Sequence, residues 1–146
     1  MRVRTCEQSI DVFVPVSVVY GQWALFEAYP RFMSGVVRVR RGDGTRVRWT
    51  TLFGGVRREF DVEVTDQRPD ELIAWRSTSG ADRAGAVALY RVDDRTTRVR
   101  VRTEVEPEGI WEQVCAASGV LDQRLRSDLE RFKELVESTT DPFGAT

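Results

Sequence analysis

The sequence predicts an α+β fold, in which a curved antiparallel sheet of about seven strands wraps around a long C-terminal helix, with two short helices after the first strand. Three observations lead there. Apolar and polar residues alternate with a period of two through most of residues 36–105. Turns rich in Gly, Asp and Pro interrupt that alternation at short intervals, the pattern of an antiparallel meander with one face wet and the other covered. From about Ile110 to Glu137 the apolar period becomes helical. A sheet with one apolar face and a helix with one apolar stripe bury those surfaces against each other in two layers. If the sheet curls, the helix lies across its concave side and the short helices close one end.

In the first strand Cys6, Ile10, Val12 and Val14 alternate with Glu7, Ser9 and Asp11. Pro15 suits the first turn of a helix, where its missing N–H has no partner to lose. Val16, Val19, Tyr20, Trp23 and Phe26 then share one helical face. Pro30 disfavours helical geometry at Tyr29, so the helix should stop near Glu27 and a turn over Arg31 to Ser34 should restart it. Tyr20 to Gly35 holds five aromatics and a methionine. That much apolar bulk in a bent segment either plugs a core or walls one end of a cavity.

After Gly35, Val37 and Val39 precede the turn RGDG (41–44), and Val47, Trp49, Thr51 and Phe53 alternate with Arg46, Arg48 and Thr50. Gly54-Gly55 is a two-residue hairpin signal, because both positions tolerate positive φ. Phe60, Val62 and Val64 follow, then the turn QRPDE (67–71), then Ile73, Trp75 and Ser77 on one face. STSGADR (77–83) reads as a polar loop. Val87 and Leu89 lead to a turn at 93–96, and Val99, Val101, Thr103 and Val105 alternate with Arg98, Arg100, Arg102 and Glu104. In the long helix Val114, Ser118, Leu121, Leu125, Leu129, Phe132 and Val136 form one stripe, with Arg126, Asp128, Glu130 and Arg131 on the solvated side. Residues 1–138 read as one domain, and 139–146, without periodicity, as a flexible tail.

Composition excludes several classes. A chain of 146 residues buries roughly 70% of its unfolded surface and needs no disulfide or metal staple. The net charge of −1 creates no field for nucleic acid or an anionic membrane. There is no histidine, which removes the commonest general base and metal ligand. Cys6 and Cys115 lie far apart and make no metal-ligand spacing. The polar N-terminus MRVRTCEQSI and two unpaired thiols fit a cytoplasmic protein, and no apolar run reaches the roughly 20 residues a bilayer span needs. The ladder Arg98, Arg100, Arg102 is expected to pair with acids such as Glu59, Asp61 and Glu63 rather than with nucleic acid.

The derived order, together with Tyr20-x-Gln22-Trp23-x-x-Phe26-Glu27-x-x-Pro30-x-Phe32-Met33, GVRREF (55–60), QRPDELIAWRS (67–77), EPEG (106–109) and SDLERFKELVE (127–137), resembles the polyketide cyclase/dehydrase group of the START-like, helix-grip superfamily (SRPBCC). The resemblance spans nearly the whole chain. It implies a deep apolar cavity between the sheet and the C-terminal helix, with no metal or organic cofactor. Members bind hydrophobic or polyketide-like molecules, and some cyclise, aromatise or dehydrate them.

Alternation places Trp49, Thr51, Phe53, Phe60, Val62, Trp75 and Ser77 on the cavity-facing side, with Val87, Leu89, Val99, Val101 and Thr103 beside them. The helix adds Val114, Ser118 and Leu121, with Cys115 near the edge, and Phe32 and Met33 supply the end wall. The candidate ligand-binding set is Phe32, Met33, Trp49, Thr51, Phe53, Phe60, Trp75, Ser77, Leu89, Val101, Thr103, Val114, Ser118 and Leu121. A mostly apolar lining with a few placed polar groups is what ligand pockets have. The same side chains could instead pack on one another, and Thr51, Ser77, Thr103 and Ser118 could each bond a nearby backbone group. Arg58 and Arg76, which could stabilise an enolate, are expected on the outer face. Tyr20 should keep its hydroxyl at the rim, and Glu27 sits at the bend. No residue earns a catalytic assignment.

Two readings stay open: a cofactor-free polyketide cyclase or dehydratase, or a non-catalytic carrier or sensor of a lipid, quinone or other hydrophobic metabolite. Both expect a hydrophobic small molecule as partner, no metal, no nucleic acid and no membrane span, in a monomer or homodimer. A weaker third reading is an interaction module that uses an exposed sheet edge and has a filled interior.

Overall fold

A computed structural model of the chain describes residues 4–53, 55–78, 83–105 and 120–139. The chain runs β1 (Arg4–Val12), α1 (Val16–Trp23), a 3-10 helix (Phe26–Arg31), β2 (Val36–Arg41), β3 (Arg46–Phe53), β4 (Val56–Arg68), β5 (Leu72–Ser77), β6 (Arg83–Asp93), β7 (Thr96–Val105) and α2 (Val120–Thr139). The seven strands make one antiparallel sheet in the order β1-β7-β6-β5-β4-β3-β2. It curls into a half-barrel with α2 against it, the helix-grip arrangement. Tight turns close the meander: Phe53 pairs with Val56 across the hairpin, with Gly55 at φ +79°, and Asp93 pairs with Thr96. In the QRPDE turn the left-handed position falls on Asp70, φ +65°, a conformation that Asp tolerates better than most residues.

Helix α1 stops earlier than the proline argument predicts. Ala24 N–H still donates to Tyr20 O, but Leu25 N–H turns to Gln22 O, the tightening that ends many helices. The 3-10 helix then runs through Pro30. It can, because the bonds that hold it use other donors: Ala28 N–H to Leu25 O, and Phe32 N–H to Tyr29 O. β2 departs from simple alternation as well. A register shift between Val36 and Arg38 buries Val36 and Val39 and leaves Val37 43% exposed.

Helix α2 is clamped at two places. Near its end, Lys133 Nζ donates to Asp11 O at 3.0 Å and to Glu137, which accepts from Phe13 N–H at 2.8 Å. Two residues earlier, Arg131 donates to Phe32 O at 3.1 Å and pairs with Asp128. Asp128 also accepts from Ser34 N–H at 3.1 Å. The heptad-like pattern puts Asp128 on the wet side of the helix, yet it is 5% exposed. The loop after the 3-10 helix supplies partners that a helical wheel cannot show. The stripe Leu125, Leu129, Phe132 and Val136 is buried as predicted. Val114, Cys115 and Ser118 lie outside the described residues.

The outer-face arginines find other partners than expected. Since β7 lies between β6 and β1, Arg98 pairs with Asp11 at 2.8 Å and Arg100 with Glu7 at 3.9 Å. Asp61 and Glu59 of β4 pair with Arg48 of the adjacent β3.

Candidate functional site

The concave face of the sheet changes character along its length. On β7, Thr97 and Val99 are fully buried, Val101 is 4% exposed, and Thr103 is only half-buried. On β6 the inner-facing series runs from buried Leu89 and Val87 to half-buried Gly85 and Arg83. On β5 it runs from Ile73 at 1% to half-buried Trp75 and Ser77, and on β3 from Val47 and Trp49 to half-buried Thr51. The register brings these ends together: Cys6 faces Thr103, Thr103 faces Gly85, and Gly85 faces Trp75. One half of the concavity is therefore filled; in the other, the open half, Thr51, Trp75, Ser77, Gly85 and Thr103 keep partial contact with solvent while Cys6 and Phe60 are buried.

The filled half is an aromatic cluster. Trp23 packs against Tyr29 (5.4 Å between centroids), Phe32 (5.1 Å) and Phe132 of α2 (4.7 Å), mostly in the edge-on or tilted geometries aromatic pairs prefer. Tyr29 donates its phenolic proton to Trp23 O at 2.7 Å, and burial pushes its pKa far above the ordinary tyrosine value. The phenol therefore keeps its proton near neutral pH. Thr97 donates to Val14 O at 2.8 Å. Phe32, Leu89 and Val101, three of the predicted site residues, belong to this packed half.

Trp49 joins the two halves. Its ring meets Tyr29 at 5.6 Å, Phe60 at 6.2 Å and Trp75 at 5.3 Å. Trp75 lies directly over Gly85, where a Cβ would come within 2.4 Å of the indole. The glycine is thus the floor on which the indole rests, and strand alternation alone gives no hint of it. Of the expected hydroxyls, Thr51, Ser77 and Thr103 all stand in the open half. Ser77 Oγ accepts from Arg83 N–H at 2.9 Å, so it has a backbone partner. Met33 is half-buried against the core. Phe53 ends β3 and Leu121 lies in α2, but their side chains are outside the described residues.

Two charged residues belong to the open half. Arg58 was expected on the outer face, but it has the parity of Phe60 and Val62, faces Thr51 in register and is half-buried. The signal was present in the alternation, since 58, 60 and 62 share a face. Arg83 has the parity of Gly85 and Val87, and its guanidinium sits 4.6 Å from the Phe60 ring centroid. In the sequence it looks like the end of a polar loop. Arg76, between Trp75 and Ser77, is exposed on the outer face as expected. Tyr20 is half-buried and accepts from Gln67 Nε2 at 3.0 Å. Glu27 is exposed and accepts from Arg41 N–H at 3.4 Å. Among the described residues no group of His, Cys, Asp and Glu could hold a metal ion, and no helix is long and apolar enough to cross a membrane.

The chain is 42% identical over 139 residues to an uncharacterized 17.2 kDa protein of Streptomyces lincolnensis, covering 94% of this chain and 93% of that one. Among solved structures it superposes on the Zhui aromatase/cyclase of Streptomyces sp. R1128 with a TM-score of 0.83 at 16% identity, covering 99% and 100% of the two chains. It also superposes on a START superfamily protein of Mycobacterium smegmatis, with a TM-score of 0.73 at 17% identity over 94% and 99%. At those identities the two structures speak for the fold. Residues 12–134 match the family described as polyketide cyclase / dehydrase and lipid transport, so it is to this START-like family that the chain belongs.

Proposed function

We propose that the protein holds an aromatic or polyketide-like molecule against the open half of its concave face and directs that molecule's cyclisation, aromatisation or dehydration without a cofactor. The observation that supports this is the split concavity: half-buried Trp75 offers ring surface, backed by buried Trp49 and Phe60, beside half-buried Thr51, Ser77 and Thr103. A flexible chain laid on such a wall is held near one reactive fold, which replaces a conformational search by orientation. The hydroxyls orient carbonyls. An inner-facing guanidinium such as Arg58 stabilises the enolate that an aldol-type closure develops, without having to transfer a proton. With no histidine in the chain, proton transfers fall to hydroxyls, carboxylates and water.

The family description includes lipid transport, and that favours a second reading. In it, the same wall carries a hydrophobic metabolite unchanged. The two readings separate on one experiment, in which a linear poly-β-ketone is incubated with the purified protein and the products are resolved by mass. A cyclase returns ring products, while a carrier returns the ligand it was given. Replacing Thr51, Ser77 and Thr103 together by valine should lower conversion about tenfold, the loss of one or two useful hydrogen bonds. Undiminished conversion by that variant would remove the hydroxyls from the site.

A further inference from the structure

We propose that the edge of the sheet where β2 meets the 3-10 helix is a docking surface for an acidic amphipathic helix of a partner protein. That edge lies outside the concave wall, and its role does not depend on what the wall holds. The charges of the chain nearly cancel, but they are not evenly spread. Residues 38–48 carry five arginines and one acid, Asp43. β2 ends the sheet, so no further strand brings acids to its far side. On its near side Arg40 stands directly opposite Arg48 of β3, and like charges set face to face on a strand pair destabilise it. Arg48 is already matched by Glu59 and Asp61 of β4. Arg46 faces Glu63 in register, but that carboxylate takes the Thr45 hydroxyl at 3.4 Å. Among the described residues Arg38, Arg40 and Arg46 have no ion pair, and all three are exposed.

Beside these charges is a seat for an apolar anchor. The turn from α1 into the 3-10 helix and the end of β2 form a surface groove of about 330 Å³, lined in part by Ala24, Leu25, Ala28, Arg31 and Arg41. Leu25 is 56% exposed there. The Arg41 guanidinium is held over the Phe26 ring, 5.3 Å from its centroid. Glu27, the acid of the groove, is engaged by Arg41 N–H at 3.4 Å. Arg40 and Arg41 are consecutive, and Gly42 N–H donates to Arg46 O at 2.9 Å, so the groove and the outward arginines meet at one corner of the fold. Carboxylates around a protruding aliphatic side chain match both features. An amphipathic helix supplies them, with anchors three or four residues apart, and opposed potentials steer the encounter and fix its register. Single-stranded nucleic acid also seeks arginines, but it needs exposed rings to stack on, and Phe26, the aromatic of the groove, is 3% exposed. An anionic bilayer offers charge without a side chain to fill the groove.

The test is calorimetric titration with a synthetic helix of about five turns, glutamates on one face and leucines on the other. The protein should bind it, and raising salt from about 0.05 to about 0.3 M should weaken binding several-fold. Arg38→Gln combined with Arg40→Gln should cost about tenfold. Leu25→Gln should cost about threefold against this peptide and nothing against one whose leucines are replaced by glutamine. Arg126→Gln, an exposed change on α2, should cost less than about twofold. The urea midpoint of the double variant should equal or exceed the wild-type value, because the Arg40–Arg48 repulsion is gone. If the peptide does not bind, or the α2 variant loses as much as the double variant, there is no docking surface. If single-stranded DNA, or vesicles of phosphatidylcholine and phosphatidylglycerol, bind as tightly and lose affinity on the same variants, the partner class is wrong and the proposal fails. A fallen midpoint in the double variant would make the arginines structural, which overturns it as well.

Discussion

The two halves of the concave face are made of the same strands and nearly the same residue types, yet one is sealed and the other is not. In the sealed half, Trp23 and Phe32 come down from above the sheet and meet Phe132 rising from α2, and every ring is at most 3% exposed. In the open half, Trp75 has Gly85 beneath it and only Trp49 as a ring neighbour among the described residues, and remains half-buried. The difference teaches that an aromatic side chain on the inner face is core only if a second layer arrives to cover it. The apolar bulk of Tyr20 to Gly35 is thus both things at once. Trp23, Phe26, Tyr29 and Phe32 plug one half, and Tyr29 meets Trp49, the ring that leads to the other.

The sharpest way to break this contrast is to truncate one ring on each side. Phe132→Ala removes a fully buried ring from the sealed half and should cost about 3–5 kcal/mol in urea unfolding. Trp75→Ala should cost clearly less, because its ring is already partly in water, and its main effect should appear in ligand binding. Equal losses of stability would mean that the open half is core after all. Gly85→Ala comes next. Its new methyl would collide with the Trp75 indole, for a cost of about 1–3 kcal/mol as the ring is displaced. In a Trp75→Ala background the same substitution should be nearly neutral, and that pair of measurements ties the glycine to the indole. Each is read from the unfolding midpoint and tryptophan emission.

The smallest expected effect lies on the convex side. Arg98 donates two hydrogen bonds to the Asp11 carboxylate and holds it below the usual aspartate range. A carboxyl lowered in the folded state adds stability above its unfolded pKa, and that stability is lost as pH falls through the folded value. Both side chains are substantially exposed, so the contribution is slight and screened by salt. Asp11→Asn should flatten the acid limb of the stability profile a little and leave ligand binding on the concave face untouched. A change in ligand affinity would show that the two faces are coupled through β1.

The residues themselves carried the element order, the seven strands, the hairpin positions and much of the described inner face, because a period of two follows from strand geometry whatever the neighbours are. Arg58 was legible by that same rule, two positions before Phe60. Strand adjacency was not, so the partners of Arg98 and Arg100 came from β1, which arrives from the far end of the chain. Nor was the burial of Asp128, whose partner Ser34 lies 94 residues away. Above all, no local pattern could say which half of the concavity would be filled. That depends on where α1, the 3-10 helix and α2 come to rest on the sheet, and the long-range contacts of the rings settle it. Sequence periodicity decided which side chains face inward, and tertiary packing decided which of them have company there.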